Sequence, residues 1–279
     1  MAERSTRDHL DEAQQREAEE RSAVAVHVVH EAVRMEGEEE LRRPASALAW
    51  SALAAGLSMG FSLVAEALLR AGLPDAPWRP LVAKLGYSVG FLVVILARQQ
   101  LFTEQTLTVI LPALDQRSLA RTGRVARVWA IVLAGNVLGA LLFAWLIGRG
   151  DVFPPELKTA FEELGREAME PEFWTKVWRG IFGGWLIALM VWLLPGAANA
   201  RVFVIVVITY LVGLGRFTHV VAGSAEALYL VTHGDLSPLD YLGGFLLPAF
   251  LGNAIGGVSL VAALNHAQVA AGLGRRAET

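Results

Sequence analysis

The chain predicts an all-α, polytopic membrane fold: six transmembrane helices in an inverted three-plus-three repeat, with the second and fifth helices broken. Three observations carry this. First, 54% of the 279 residues are apolar and only 18% are charged, against about 25% charged in an ordinary soluble domain, and the mean hydropathy is +0.45. Second, the charge is crowded at one end, with twelve acids and seven arginines in residues 1–43. Third, the remainder holds several apolar stretches about 20 residues long, the length that crosses a hydrocarbon core. A soluble globular enzyme is excluded by this pattern. The absence of cysteine excludes a disulfide scaffold, and a net charge of −3 without a basic cluster speaks against nucleic acid as a partner.

In chain order, residues 1–43 read as a charged tail ending in an amphipathic helix. Val24, Val28 and Ala32, four apart, mark its apolar face. No basic-then-apolar signal peptide opens the chain. The helix is expected to lie on the membrane or on its own bundle, with docking of a protein partner as the alternative. Pro44 then leads into the membrane part.

Six apolar passages follow: about 45–69, 81–114, 128–147, 177–194, 202–232 and 241–263. The second is too long for one span and is interrupted by Arg98-Gln99-Gln100 and Thr103-Glu104-Gln105-Thr106. The fifth is interrupted by Gly213, Gly215, Arg216, Thr218 and His219. Backbone that leaves helical geometry at membrane depth must be buried in protein or line a watery path, because each unpaired polar group facing lipid costs several kcal/mol. Broken spans at corresponding places of two halves point to a transport site near the midplane.

The halves, about 44–147 and 177–265, do correspond. Phe102-Thr103 at the first break reads as the counterpart of Phe217-Thr218 at the second. Some thirty residues later each half carries a Gly-Asn-x-x-Gly element, Gly135-Asn136-Val137-Leu138-Gly139 and Gly252-Asn253-Ala254-Ile255-Gly256. The domain reading is therefore a tail (1–43), a pore domain (44–265) and a short C-terminal tail (266–279). Four arginines between Asp115 and Arg127, with Arg42-Arg43 before the first span, place both termini in the cytoplasm under the positive-inside tendency. Arg70, Arg79 and Lys84 run against that bias.

Leu101-Phe102-Thr103 at the first break, Gly135-Asn136-x-x-Gly-Ala-Leu-Leu-Phe, Phe217-x-His219 at the second break and Leu247-Pro248 before the second Gly-Asn element together resemble the formate/nitrite transporter family over roughly residues 45–265. The run Ala97-Arg98-Gln99-Gln100-Leu101-Phe102-Thr103-Glu104 and the charged tail are most similar to its YfdC-like branch. The resemblance implies an aquaporin-like protomer in the bacterial inner membrane, a homopentamer with one pore per protomer, and passage of small monovalent anions of weak acids or their neutral acids. It implies a central pair, Thr103 and His219. Asn136 and Asn253, in glycine-flanked helix contacts, are expected either to bridge packed helices with their amides or to line the pathway. The resemblance also implies apolar constrictions at Leu101, Phe102 and Phe91 in the first half and at Ile187 and Val212 in the second.

The physics of such a pore is coherent. A bare charge at mid-membrane costs at least about 3 kcal/mol, and apolar rings raise that cost, whereas a neutral acid crosses readily. A histidine there can protonate or hydrogen-bond a weak-acid anion, and a threonine hydroxyl both donates and accepts. The chain departs from the family at Thr218, Gly223 and Gly184, where an acid and two asparagines are usual. It adds Arg98, Glu104, Arg216 and Glu226 at or near the breaks, which are expected to pair with one another or to face the vestibules. Glu66, near the end of its span, reads as solvated or interfacial, as do His233 and His266. His27, His30 and Glu31 share the tail helix, but His27 and Glu31 at i, i+4 supply only two ligands, so no metal site and no cofactor are expected. No enzyme signature appears. The reading is a channel or transporter for weak-acid anions. The rivals are a water or neutral-solute channel, and a largely closed pore serving as a membrane scaffold or sensor through its tail.

Overall fold

The computed structural model describes residues 24–115 and 118–268. The first 23 residues of the expected tail and the stretch beyond 268 lie outside the described residues. All regular structure among the described residues is helical.

Helix α1 (Val26–Arg42) lies on the bundle, and its buried face is Val29, His30, Val33, Gly37, Glu40 and Leu41. The stripe expected from Val24, Val28 and Ala32 points outward; these three residues are exposed. The packing face is offset by one residue because Val29, Val33 and Gly37 stack four apart. Gly37 lets the helix rest against the Thr108 carbonyl, where a Cβ would collide.

Pro44 ends that helix in extended geometry and starts α2 (Ala45–Gly72). At about 1.5 Å per residue, its 28 residues span about 42 Å, enough to cross a bilayer. Next come α3 (Arg79–Ala83), α4 (Ser88–Leu96), α5 (Phe102–Thr108), α6 (Ile110–Asp115) and α7 (Leu119–Gly148). Ser118 caps α7 by accepting a 3.2 Å bond from Arg121 N. Amphipathic α8 (Pro155–Met169) leads to α9 (Phe173–Leu193), α10 (Arg201–Leu214), α11 (Ala222–His233), α12 (Pro238–Tyr241) and α13 (Leu247–Ile255). Wide π turns at Leu242–Leu246 and Gly256–Ala263 flank α13.

Among the described residues, five helical runs are long and apolar enough to cross a membrane: Ala45–Gly72, Arg79–Leu96, Leu119–Gly148, Phe173–Gly196 and Pro238–Gln268. The apolar run Ala198–Leu214 is shorter. Small residues bring the long helices together. A Cβ on Gly56 of α2 would strike the Asn136 carbonyl of α7, and one on Gly139 of α7 would strike the Leu53 carbonyl of α2. Between α9 and α13, Gly184 and Gly252 play the same part against the Asn253 and Val177 carbonyls. The outward faces carry large apolar groups such as Trp50, Trp178 and Phe203, as a lipid-facing surface requires.

Candidate functional site

Both interrupted spans break where polar residues gather. The first leaves helical geometry between Leu96 and Phe102. Thr103, Glu104, Gln105 and Thr106, expected to extend the interruption, instead form the first turns of α5. The second break lies between Leu214 and Ala222. At each, an arginine adopts left-handed backbone geometry, Arg98 at φ 53° and Arg216 at φ 49°, a conformation that costs a non-glycine residue about 1–3 kcal/mol. The bonds around the two arginines match. Gln99 N donates to Val94 O at 2.9 Å, and Phe217 N donates to Val212 O at 3.0 Å.

The two asparagines repair the breaks. Asn136 Oδ1 accepts from Phe102 N at 2.9 Å, and its Nδ2 donates to Ala52 O and Gln100 O, both at 2.8 Å. Asn253 Oδ1 accepts from Val220 N, and its Nδ2 donates to Gly180 O and Thr218 O, all three at 2.8 Å. Both side chains are fully buried. Both amide hydrogens of each are taken by backbone carbonyls, so neither has a hydrogen left for a passing solute. The same bonds correct the register between the halves. Phe102 corresponds to Val220 and Gln100 to Thr218, so Leu101 stands opposite His219, three residues from the alignment of Phe102 with Phe217. The aromatic Phe in each motif misleads, because only the backbone bonds carry the equivalence.

Thr103 and His219 meet between the two breaks, with Oγ1 and Nε2 2.8 Å apart. Backbone N–H groups of Val221 and Ala222 donate to His219 Nδ1 at 3.3 and 3.1 Å. Nδ1 is therefore the acceptor, and the ring proton sits on Nε2, donating to the threonine oxygen. The threonine hydroxyl is left to donate elsewhere. Phe91 packs edge-on against the His219 ring with centroids 4.9 Å apart. Phe91, Leu101, Phe102, Ile187 and Val212 have no solvent-exposed surface.

Two vestibules open at opposite ends of α2. One, beside α8, is lined by Lys84, Glu167, Arg179, Arg216, Glu226 and His219, among others. The other, beside α1, is lined by four carboxylates (Glu36, Glu39, Glu40, Glu104) and four arginines (Arg42, Arg43, Arg98, Arg201), with Gln100 at its base. The added charges at the breaks do not pair with one another. Arg98 binds Glu36 of α1 at 2.9 Å, and Arg216 stands 3.8 Å from Glu167 of α8. Their partners lie on the flanking amphipathic helices because the breaks open toward opposite ends of the bundle.

Glu66, expected to be solvated, is buried and forms an ion pair with Lys84. Sequence order hides this pair, since the two residues sit on different helices that meet only on folding. Arg70 holds Glu163 at 3.0 Å and Glu167 at 2.7 Å, tying α2 to α8. On α1, outside the spans, burial pushes the Glu40 carboxyl above its ordinary range against the pull of Arg43. The hydrogen bond from Arg121 holds Glu38 below it. His233 stacks on Tyr229 with centroids 4.2 Å apart.

Two of the departures have a local cause. A Cβ at Gly184 would enter the Asn253 backbone, and one at Gly223 would enter the Phe245 ring.

A family profile described as "Formate/nitrite transporter" matches residues 27–267. The chain is 44% identical over 241 residues to "Inner membrane protein YfdC" of Escherichia coli (strain K12), covering 86% of this chain and 78% of that protein. It is 26% identical over 218 residues to "Nitrite transporter NirC" of Salmonella typhimurium, covering 75% and 78%. Among solved structures, "Pentameric formate channel with formate bound" superposes with a TM-score of 0.69 at 22% identity, over 79% of this chain and 95% of that one. "FNT family ion channel" superposes with 0.72 at 21% identity, over 85% and 96%. At such identities the superpositions establish a shared fold.

Proposed function

From the premise that the chain belongs to the formate/nitrite transporter family, we propose that it conducts small monovalent weak-acid anions, formate- or nitrite-like, through a pathway crossing at Thr103 and His219. The observation that carries this reading is the Thr103–His219 bond at 2.8 Å, set between the two breaks with Phe91 packed edge-on against the His219 ring. The backbone-fixed tautomer makes His219 a donor to Thr103, and the threonine proton then points a hydrogen bond at an anion or its neutral acid. In the vestibule beside α8, Lys84 is spent on Glu66, so Arg179 and Arg216 face Glu167 and Glu226 in balance. The eight opposing charges of the vestibule beside α1 balance.

On this reading residues 44–265 form the pore domain of a five-protomer assembly in the bacterial inner membrane, with the α1 end facing the cytoplasm. Stopped-flow flux in proteoliposomes tests the proposal, using formate, nitrite, acetate, lactate, hydrosulfide and chloride between pH 5 and 8. Saturable flux of a weak acid that rises at low pH and is lost in His219→Phe supports it. Flat traces for every solute from an intact oligomer overturn it in favour of a closed scaffold.

A further inference from the structure

His30, Asp115 and His266 come from three separate parts of the chain. His30 lies on α1, Asp115 ends α6, and His266 sits in the last turns of the helical run Pro238–Gln268. Their side chains converge, and one ligand atom from each lies within 4.8 Å of the others. His266 Nδ1 stands 3.4 Å from His30 Nε2 and 3.3 Å from Asp115 Oδ1. Donor atoms bonded at ordinary lengths to one tetrahedral ion stand roughly 3.3–3.4 Å apart, so two edges of the triangle already have the required length.

From this geometry we infer that His30, Asp115 and His266 bind one divalent transition-metal ion of the zinc class at the α1 end of the bundle. Two imidazoles and one carboxylate suit zinc, cobalt or nickel and not magnesium or calcium, which prefer all-oxygen shells. Three protein ligands leave a fourth position for water.

The surroundings support the assignment. His30 is buried, with Trp192 edge-on to its ring at 6.1 Å, which fixes the ring on its aromatic side. The nearby cation Arg34 is engaged chiefly by Glu31. It donates to both Glu31 oxygens at 2.7 and 2.8 Å and approaches only the outer oxygen of Asp115, at 3.8 Å. Oδ1 of Asp115 is left facing His266. Glu31, a candidate ligand by sequence spacing, is thereby taken, and His27 is not one of the three converging residues. An ion here would clamp α1 to the ends of two membrane-embedded segments, adding to the Glu36–Arg98 and Glu38–Arg121 pairs along the same helix.

The test uses the full chain, purified without a histidine tag, stripped with chelator and kept in detergent. Zn²⁺ is titrated by calorimetry and Co²⁺ by its visible absorption, with thermal unfolding followed in parallel. The expected result is one ion per chain, with a Tm that rises on adding metal. His266→Ala and Asp115→Asn, at part-exposed positions that keep the fold, weaken binding by at least about tenfold and abolish the Tm rise. His27→Ala leaves both unchanged. Equal affinity in His266→Ala and the parent chain, or no stoichiometric binding by the parent chain, overturns the assignment. None of these readouts involves transport, so the outcome stands apart from that of the flux experiment.

Discussion

Asn136 and Asn253, 117 residues apart, make the same three hydrogen bonds. Each accepts one backbone N–H and donates to two backbone carbonyls, one of them in the break and the other on a neighbouring long helix. The membrane offers no water to satisfy those groups, so each amide is the reason its break persists.

Replacing either asparagine by alanine strands three buried backbone groups, at about 1–3 kcal/mol each. Asn136→Ala and Asn253→Ala are each expected to lose several kcal/mol and to fail to give a stable oligomer. Asn→Asp keeps the acceptor and loses both donors, so it is no rescue. Size-exclusion profiles and thermal unfolding in detergent decide this; a fully stable Asn253→Ala oligomer would refute the role.

His219→Phe keeps an aromatic ring beside Phe91 and removes the donor to Thr103. Assembly is expected to be unchanged, while weak-acid flux falls at least about tenfold and loses its pH dependence, consistent with a general contribution of 10²–10³ from such preorganised groups. Thr103→Val should reproduce the loss. Wild-type flux and pH profile in either variant would remove the pair from the mechanism.

Lys84→Met leaves Glu66 buried without its partner, and Glu66 Oε2 already lacks a hydrogen bond. A loss of about 3–5 kcal/mol is expected. Lys84→Met combined with Glu66→Leu should recover most of it, because replacing both members of a buried pair by apolar groups is often neutral. A double variant as unstable as the single one would mean that the pair does more than neutralise itself.

Glu38 donates stability through pH. Its carboxyl sits below the ordinary range because Arg121 bonds it at 2.6 Å. The stabilisation is therefore complete above the unfolded value, near 4.5, and disappears as pH falls through the lower folded value. Glu38→Gln should cost on the order of 1 kcal/mol at pH 7 and nothing once wild-type Glu38 is protonated. Tm measured against pH for both chains checks this, and parallel curves down to the most acid point would contradict it.

Gly184→Asn, which puts back the residue usual in the family, forces a side chain into the Asn253 backbone. The expected outcome is separation of α9 from α13 with a Tm well below the parent's. An unchanged Tm would show that this contact yields readily.

The sequence by itself determined the all-helical membrane class, the places of the two breaks, and the motif residues Thr103, His219, Asn136 and Asn253. Apolar length, mid-span polarity and glycine-flanked asparagines are local signals, readable in one dimension. The tertiary structure alone decided what depends on which helices meet. It showed that the asparagine amides are spent on backbone and that Leu101 stands opposite His219. It paired Arg98 and Arg216 with Glu36 and Glu167 instead of with local acids, and it buried Glu66 on Lys84. It also turned α1 by one residue, so that Val29, Val33 and Gly37 pack and His30 meets Asp115 and His266. Each of these depends on side chains far apart in the chain that meet only when the long helices pack, and which helices meet is not a local property of any one segment.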